Sequence, residues 1–346
     1  MNPIRIGLIG VGRAGWQMHT RELEPYGELF TFVAACDLIR ERRDRMHEKY
    51  QATPYRRAED LIADPRVELV DVASRTTDHL THAKGALEAG KFVFLEKPIG
   101  ANWAEVRQLQ ALSVRYPRKL FIRHNRRFEP AFQHVREIID SGLLGSVHAI
   151  TLRRGVYQRR DDWQTLRRCG GGQLLNWGPH IIDHALRFLK TPPVSIFSHL
   201  QQVAAAGDAE DLVRILLRNR EGMIVDLEIS GARVQPEPEI RVCGKKGSLT
   251  CTGETIQLRY LRPDVKRAPR RAKAGTPAEG FGSPDQLEWV EEEIPVHPKL
   301  TSGTALIWKH LYESIRNRKP FPITMREAVE VMRIVHRAKK GTPYED

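Results

Sequence analysis

An apolar run from Ile4 to Ile9 passes straight into Gly10-Val11-Gly12-Arg13-Ala14-Gly15, and helical sequence follows from Trp16. No other stretch restricts the fold as strongly. In a strand–turn–helix setting the first glycine makes the tight turn and the second lets a pyrophosphate approach the backbone. The third allows close helix–strand packing, and the helix N-terminus faces the phosphates. Gly10, Gly12, Arg13, Ala14 and Gly15 are therefore candidate dinucleotide contacts. FAD and S-adenosylmethionine sites share the pattern, so it names a nucleotide and not a reaction.

The next strand reads Phe30–Cys36 and ends at Asp37. An acid there can accept hydrogen bonds from the adenosine ribose hydroxyls and repels a 2′-phosphate, which favours NAD. Arg40, three residues on, could instead contact a 2′-phosphate, so NADP stays open. Asp37 could equally cap the helix starting near Ile39. A short helix Ala58–Ile62, a strand Val67–Ala73 and a loop Ser74-Arg75-Thr76-Thr77-Asp78-His79 come next. In an open parallel sheet ligands bind at the carboxyl ends of strands, which puts Thr76 and His79 beside the cofactor. Helix Ala83–Ala89, helix Trp103–Arg115 and strand Leu120–Ile122 complete a doubly wound parallel α/β domain over residues 1–122.

Inside that domain Phe92-Val93-Phe94-Leu95-Glu96-Lys97-Pro98 is distinctive. Phe92 to Leu95 reads as a strand buried on both faces, and Gly90 before it ends the preceding helix. An acid, a lysine and a proline then meet at the strand's carboxyl end. A lysine held there points its ammonium into a crevice, and Glu96 and Lys97 join the candidate cofactor contacts.

Past Ile122 the pattern changes, and residues 123–346 read as a second, α+β domain for substrate binding and oligomerisation. Helix Phe132–Asp140 and strand Val147–Arg153 lead to an arginine-rich segment containing Arg160 and Trp163. Gly170-Gly171-Gly172 then introduces Gln173–His184. From Val194 to about Leu261 short strands alternate with hairpin signals: Leu212–Leu217, Met223–Ile229, Glu239–Val242 and Ser248–Cys251. They predict an open, mostly antiparallel sheet. Residues 262–283, rich in Pro, Gly, Ala and basic side chains, read as a mobile loop. Thr304–Arg316 and Arg326–Lys339 are two closing amphipathic helices.

The 346 residues suit two domains, with 41% hydrophobic and 28% charged residues, as in a globular chain. No apolar run approaches a membrane span and no targeting segment is evident, so the cytoplasm is the expected location. Cys36, Cys169, Cys243 and Cys251 are too scattered for a zinc ribbon or a disulfide framework. The formal net charge of +12 is spread through arginine–glutamate mixtures, apart from a patch between Arg259 and Lys273. A solvated insertion accounts for that patch better than a nucleic-acid arm. The wider excess suits an anionic cofactor and an anionic substrate.

For chemistry, His180 is the acid–base candidate, since an imidazole near its ordinary pKa exchanges a proton near neutrality. Lys97 could share that proton or orient a hydroxyl. His180 and His184 stand at i and i+4, as in zinc sites, but the glutamate of metalloprotease chemistry and a third ligand are missing. No metal is expected, and His184 reads as a packing residue. Trp163 offers a flat face for a pyranose and Arg160 suits a carboxylate or phosphate, although both could belong to a surface loop with paired charges.

Gly10–Gly15, Asp37, Ala86–Lys91 with Glu96-Lys97-Pro98, and Gly170–Asp183 occur in the order that characterises the Gfo/Idh/MocA family, which the chain resembles along nearly its whole length. The resemblance implies an N-terminal Rossmann domain, a C-terminal domain with an open sheet, and NAD(P)-dependent oxidation or reduction of a sugar or cyclitol. It implies Lys97 as the substrate-contacting lysine, His180 as general acid/base, Arg127 beside the active site, and a homodimer or homotetramer. The family often has aspartate where this chain has Asn176, which cannot take a proton but can bond a substrate hydroxyl. Two alternatives stay open: a glycosidase of the same superfamily that recycles its NAD, and a non-catalytic nucleotide-binding sensor.

Overall fold

The computed structural model describes residues 2–265, 269–277, 279, 280 and 285–345. The first sheet holds β1 (Ile4–Ile9), β2 (Phe30–Cys36), β3 (Thr53–Tyr55), β4 (Leu69–Val72), β5 (Phe92–Glu96) and β6 (Leu120–Arg123). All six run parallel, in the order β3-β2-β1-β4-β5-β6. Helices α1 (Thr20–Leu23), α2 (Arg40–Tyr50), α3 (Ala58–Ala63), α4 (His79–Glu88) and α5 (Trp103–Arg115) alternate with them. The strand order reverses between β1 and β4, so the crevice of the sheet opens at their carboxyl ends. Central strands bury both faces: all four residues of β4 are buried, as are Val93, Phe94 and Leu95. This is why they read as continuous apolar runs.

Helix α6 (Pro130–Asp140) leads to β7 (Val147–Gly155), and α7 (Gln173–Asn176) and α8 (Gly178–Leu189) follow. Strands β8 (Ser195–Gln201), β9 (Leu212–Arg218), β10 (Ile224–Ser230), β11 (Ile240–Gly244), β12 (Gly247–Cys251), β13 (Thr255–Leu261) and β14 (Trp289–Pro295) join β7 in a second sheet. Its order is β14-β13-β12-β11-β7-β10-β9-β8, antiparallel except for the parallel pair β7 and β10. The fold is therefore the expected α/β combination of a parallel Rossmann sheet and a mostly antiparallel one. Among the described residues, no helix is long and apolar enough to cross a membrane.

Two strands escape the sequence pattern. β3 contains Pro54 and lies at the sheet edge, where a missing donor is tolerated. β14 carries Glu291, Glu292 and Glu293 and pairs with β13, placing Glu291 opposite Arg259 at 3.1 Å. Arg262 likewise meets Glu288 at 3.2 Å and Arg270 meets Asp285 at 3.7 Å. Three cations of the basic patch thus meet acids that lie about 15 to 32 residues further along the sequence. The described part of 262–283 has no helix or strand, and the expected mobile loop includes residues 266–268, 278 and 281–283, which lie outside the description.

Helices α9 (Leu306–Arg316) and α10 (Met325–Lys339) close the chain. α9 returns to the first sheet. Trp308 is fully buried there, edge-on to Phe30 and Phe94 with ring centroids 5.6 and 4.8 Å apart. Arg316 clamps Glu68 and the carbonyls of Asn2 and Pro3. α10 begins with a capping box between Thr324 and Glu327 and packs against α5 and α8. Replacing Trp308 with alanine should cost about 3–5 kcal/mol, because it empties a site between the sheet and α9. Urea unfolding of the variant tests this, and a change under about 1 kcal/mol would mean that α9 is not seated there.

Candidate functional site

The crevice at β1 and β4 has the shape of a dinucleotide cradle. Gly10 has φ +94°, and a Cβ there would meet the Ala73 carbonyl at 2.6 Å. A Cβ on Gly15 would lie 2.1 Å from the Gly10 carbonyl, so only glycine allows the first helix so close to β1. Gly12 faces nothing nearer than Arg42 at 3.7 Å, which leaves room for a phosphate. The segment Arg13–His19 forms one wide i→i+5 turn before α1. A pocket of about 240 Å³ opens beside it, lined by Gly12, Arg13, Trp16, Gln17, Arg42 and Arg45. Asp37 stands at its edge and accepts from the backbone N–H of Val11 and of Ile39, both at 2.9 Å. These residues fit a nicotinamide dinucleotide, with the glycines on the pyrophosphate and Asp37 toward the ribose.

One crevice further along, β5 ends in Glu96 and Lys97. Glu96 Oε2 accepts from the Lys97 backbone N–H at 2.9 Å. Glu96 Oε1 accepts from Arg123 and from His19 Nε2, the latter at 2.9 Å. His19 Nδ1 meets Asp71 Oδ2 at 2.7 Å, and Arg123 also binds Glu22. Glu22 in turn accepts from Trp308 Nε1 at 3.0 Å and Asn125 Nδ2 at 3.3 Å. This buried ion cluster ties the residues at β4, β5 and β6 to the first helix and to α9. Burial alone would lower the His19 pKa, but the Asp71 charge and the hydrogen bonds that His19 donates to Asp71 and Glu96 raise it to about 9 against the opposing Arg123. Glu96 is held well below the carboxylate range, because Arg123, His19 and Lys97 outweigh its desolvation.

Above the cluster the Lys97 Nζ donates to the Asn176 carbonyl at 2.9 Å. Desolvation, with Arg123, Arg126 and Arg13 near, lowers its pKa to about 8 despite the opposing Glu96. His180 opens the first turn of α8, 6% exposed, and its Nδ1 has no partner among the described residues. Burial, then Lys97, Arg126 and His124, push it well below its ordinary value. The imidazole is therefore neutral at pH 7, not near its ordinary pKa as the sequence suggested. His124 is also buried in this cluster, and desolvation takes it to about 4. Trp177 sets its ring edge-on to His180, 5.9 Å between centroids.

The structure brings Lys97, His180 and Asn176 together and gives other expected residues different places. Arg127 is corrected as a substrate contact. Its Nε and one terminal nitrogen grip Asp183 at 2.9 and 2.6 Å, and the other nitrogen binds Glu327 and the Pro322 carbonyl. With its fork spent, Arg127 fastens α8 to α10. Arg40 has a side chain 81% exposed and paired with Asp44, while Arg42 and Arg43 approach Asp37. His79 is 1% exposed with its ring nitrogens facing the Pro98 and Ser74 carbonyls, so it ties two loops together. Glu96 likewise has both oxygens engaged by the protein. Thr76 is buried in the turn after β4. Arg160 closes on Asp162 and Gln164, whose amide reaches Asn176 Oδ1 at 3.5 Å. Trp163 is half-buried with Arg75 above its ring at 5.5 Å. His184 packs on Phe132 at 3.9 Å, and its Nε2 bonds the Arg126 carbonyl.

A glycine-rich nucleotide cradle beside a part-buried lysine and a buried histidine fits a dinucleotide-binding oxidoreductase fold. Residues 4–124 match the oxidoreductase family described by its NAD-binding Rossmann fold, and residues 132–250 match the GFO/IDH/MocA C-terminal domain. The chain belongs to the Gfo/Idh/MocA oxidoreductase family. It is similar to the scyllo-inositol 2-dehydrogenase (NADP(+)) IolW of Bacillus subtilis, at 23% identity over 99% of this chain and 94% of that protein. It is 29% identical to the myo-inositol 2-dehydrogenase of Thermotoga maritima over 71% of this chain and 74% of that one. In fold it is similar to an NAD-binding protein from Listeria innocua, with a TM-score of 0.83 and 19% identity over 99% and 98% of the two chains.

The ion cluster predicts a pH-dependent stability. A His19 pKa raised from 6.5 to about 9 stabilises the fold on the order of 3 kcal/mol below pH 6.5 and loses that contribution as pH rises to 9. Thermal unfolding should show the melting temperature falling across that window, and His19→Gln should flatten the fall. An equal fall in both proteins would remove His19 as its source.

Proposed function

We propose that this chain is an NAD-dependent dehydrogenase that moves a hydride between nicotinamide and a secondary alcohol carbon of a sugar, sugar derivative or cyclitol. The observation that carries the reading is the pairing of two groups at the crevice: the part-buried Lys97 ammonium, with donors to spare, and the buried, neutral His180 imidazole, with Nδ1 unpartnered. Similarity to two inositol dehydrogenases supports the substrate class. Gly10, Gly12, Gly15 and Asp37 would hold the dinucleotide, which when bound supplies the hydride acceptor.

The chain's own part is proton handling and orientation. Lys97 spends one of three N–H donors on the Asn176 carbonyl, which aims the others at a substrate oxygen. His180 takes the hydroxyl proton as a neutral base, and the Lys97 charge stabilises the oxygen as negative charge develops on it. The Asn176 side-chain amide, at 3.5 Å from Gln164, orients a neighbouring hydroxyl. Asp37 favours NAD because a carboxylate opposes a 2′-phosphate.

Replacing His180 with alanine should lower kcat by about 100-fold or more. The kcat/KM profile should fall as pH rises through about 8, where Lys97 loses its proton, and should show no acid limb near 6.5, because His180 is neutral well below that value. Lys97→Arg should carry the alkaline limb upward. A limb that stays in place in that variant would take Lys97 out of the role. For the cofactor, fluorescence titration should find NADH bound at least about 10-fold more tightly than NADPH, a gap that Asp37→Ala narrows. A preference for NADPH would show that Arg42 and Arg43 override Asp37.

A further inference from the structure

Beside the lysine–histidine pair stand two arginines that the reaction does not use. The Arg126 and Arg154 guanidinium carbons lie 4.2 and 4.1 Å from the centroid of the Trp177 ring. The same ring meets His180 edge-on. Arg126 bonds only Glu129 and Arg154 only Glu239, each through one terminal nitrogen. A guanidinium carries five N–H donors, so most of this pair's donors have no protein partner among the described residues. Their side chains are 25% and 37% exposed, too covered for water to solvate them freely. Stacking on the indole fixes the plane of each fork.

We propose that Arg126 and Arg154, held against Trp177, form a carboxylate-binding subsite, so that the alcohol taken by this site is a uronic acid or a carboxylated cyclitol. The inference rests on the dehydrogenase reading above and adds the substrate's charge. Planar forks with free donors match a carboxylate in bidentate geometry. Each guanidinium is already paired with one carboxylate, Glu129 and Glu239, which opposes a dianionic phosphate at the forks more than a single carboxylate. The other arginines first suspected of reading an anion are already spent, Arg127 on Asp183 and Glu327 and Arg160 on Asp162 and Gln164.

The test uses the full chain with NAD or NADH and matched ligands: hexuronic acids, the parent hexoses, the hexose 6-phosphates, and carboxylated against neutral cyclitols. Calorimetry in the presence of NADH measures binding without turnover, and kcat/KM is measured with NAD. A carboxylate should bind at least about 10- to 100-fold more tightly than its neutral parent. Arg154→Gln, on a half-exposed strand position, should erase most of that gap while leaving the affinity for the neutral parent within a few-fold. Circular dichroism confirms that the variant is folded. Equal affinity for acid and parent, preference for the phosphates, no binding by any carboxylate, or an equal loss of acid and parent in Arg154→Gln would each overturn the proposal. A carboxylate that binds selectively without reducing NAD would uphold the subsite and sink the dehydrogenase reading. Turnover of neutral polyols with no charge preference would do the reverse.

Discussion

A carboxylate buried at the end of β5 has to be neutralised, and the way Glu96 meets that need organises the whole site. Its two oxygens accept from the Lys97 backbone on one side and from His19 and Arg123 on the other. An unpaired charge at that depth would cost several kcal/mol, so the partners are obligatory. Each partner then needs its own counter-charge, which brings Asp71 from β4 and Glu22 from α1. Trp308, from near the far end of the chain, caps the series. The lysine in the crevice thus sits on an ion lattice that spans three neighbouring strands, the first helix and α9. Such a cluster is a weak source of net stability, but only one arrangement of these elements satisfies all its members.

The parts of the fold that a sequence shows are those whose burial is simple. β1, β2, β4 and β5 are mostly apolar, each broken by at most one polar residue before its end (Arg5, Thr31 and Asp71 in the first three), and so read directly as strands. β14 does not, because it is an exposed edge whose glutamates meet Arg259, Tyr260 and Gln257 of β13, and that match is visible only once the strands are paired. The same limit hid His19, Arg123 and Trp308. Each is a polar or aromatic residue within a helix or at a strand end, and nothing local says that three carboxylates will surround the first two. Charged residues in such places usually face water.

Within the candidate site, the meeting of Lys97 and His180 and the tight turn at the glycines were legible because motif spacing places them. Arg126 and Arg127 were not distinguishable by any such means. They are adjacent in a short helical turn after β6, so their side chains leave it in different directions. One meets Asp183, a single turn beyond His180 on α8, and becomes a fastener for the helix that carries His180. The other turns toward Trp177 and the crevice. Which is which depends on where α8 lies, and that is decided by packing far from either arginine. The expected pKa of His180 failed for a related reason. An isolated histidine says nothing about its burial or about the cations that will collect around it.

Those cations link binding to proton transfer. Burial, with Lys97 and Arg126, lowers the affinity of His180 for a proton, which keeps the imidazole neutral and makes it a weak base. A negative charge arriving beside Arg126 offsets part of that field. It raises the basicity of His180 and steadies the proton on Lys97 at the same moment, since both shifts answer to the same local potential. A neutral ligand of the same shape leaves both groups as they were. The arrangement therefore ties the strength of the base to the charge of what occupies the crevice, by Coulomb's law alone and without movement of the backbone.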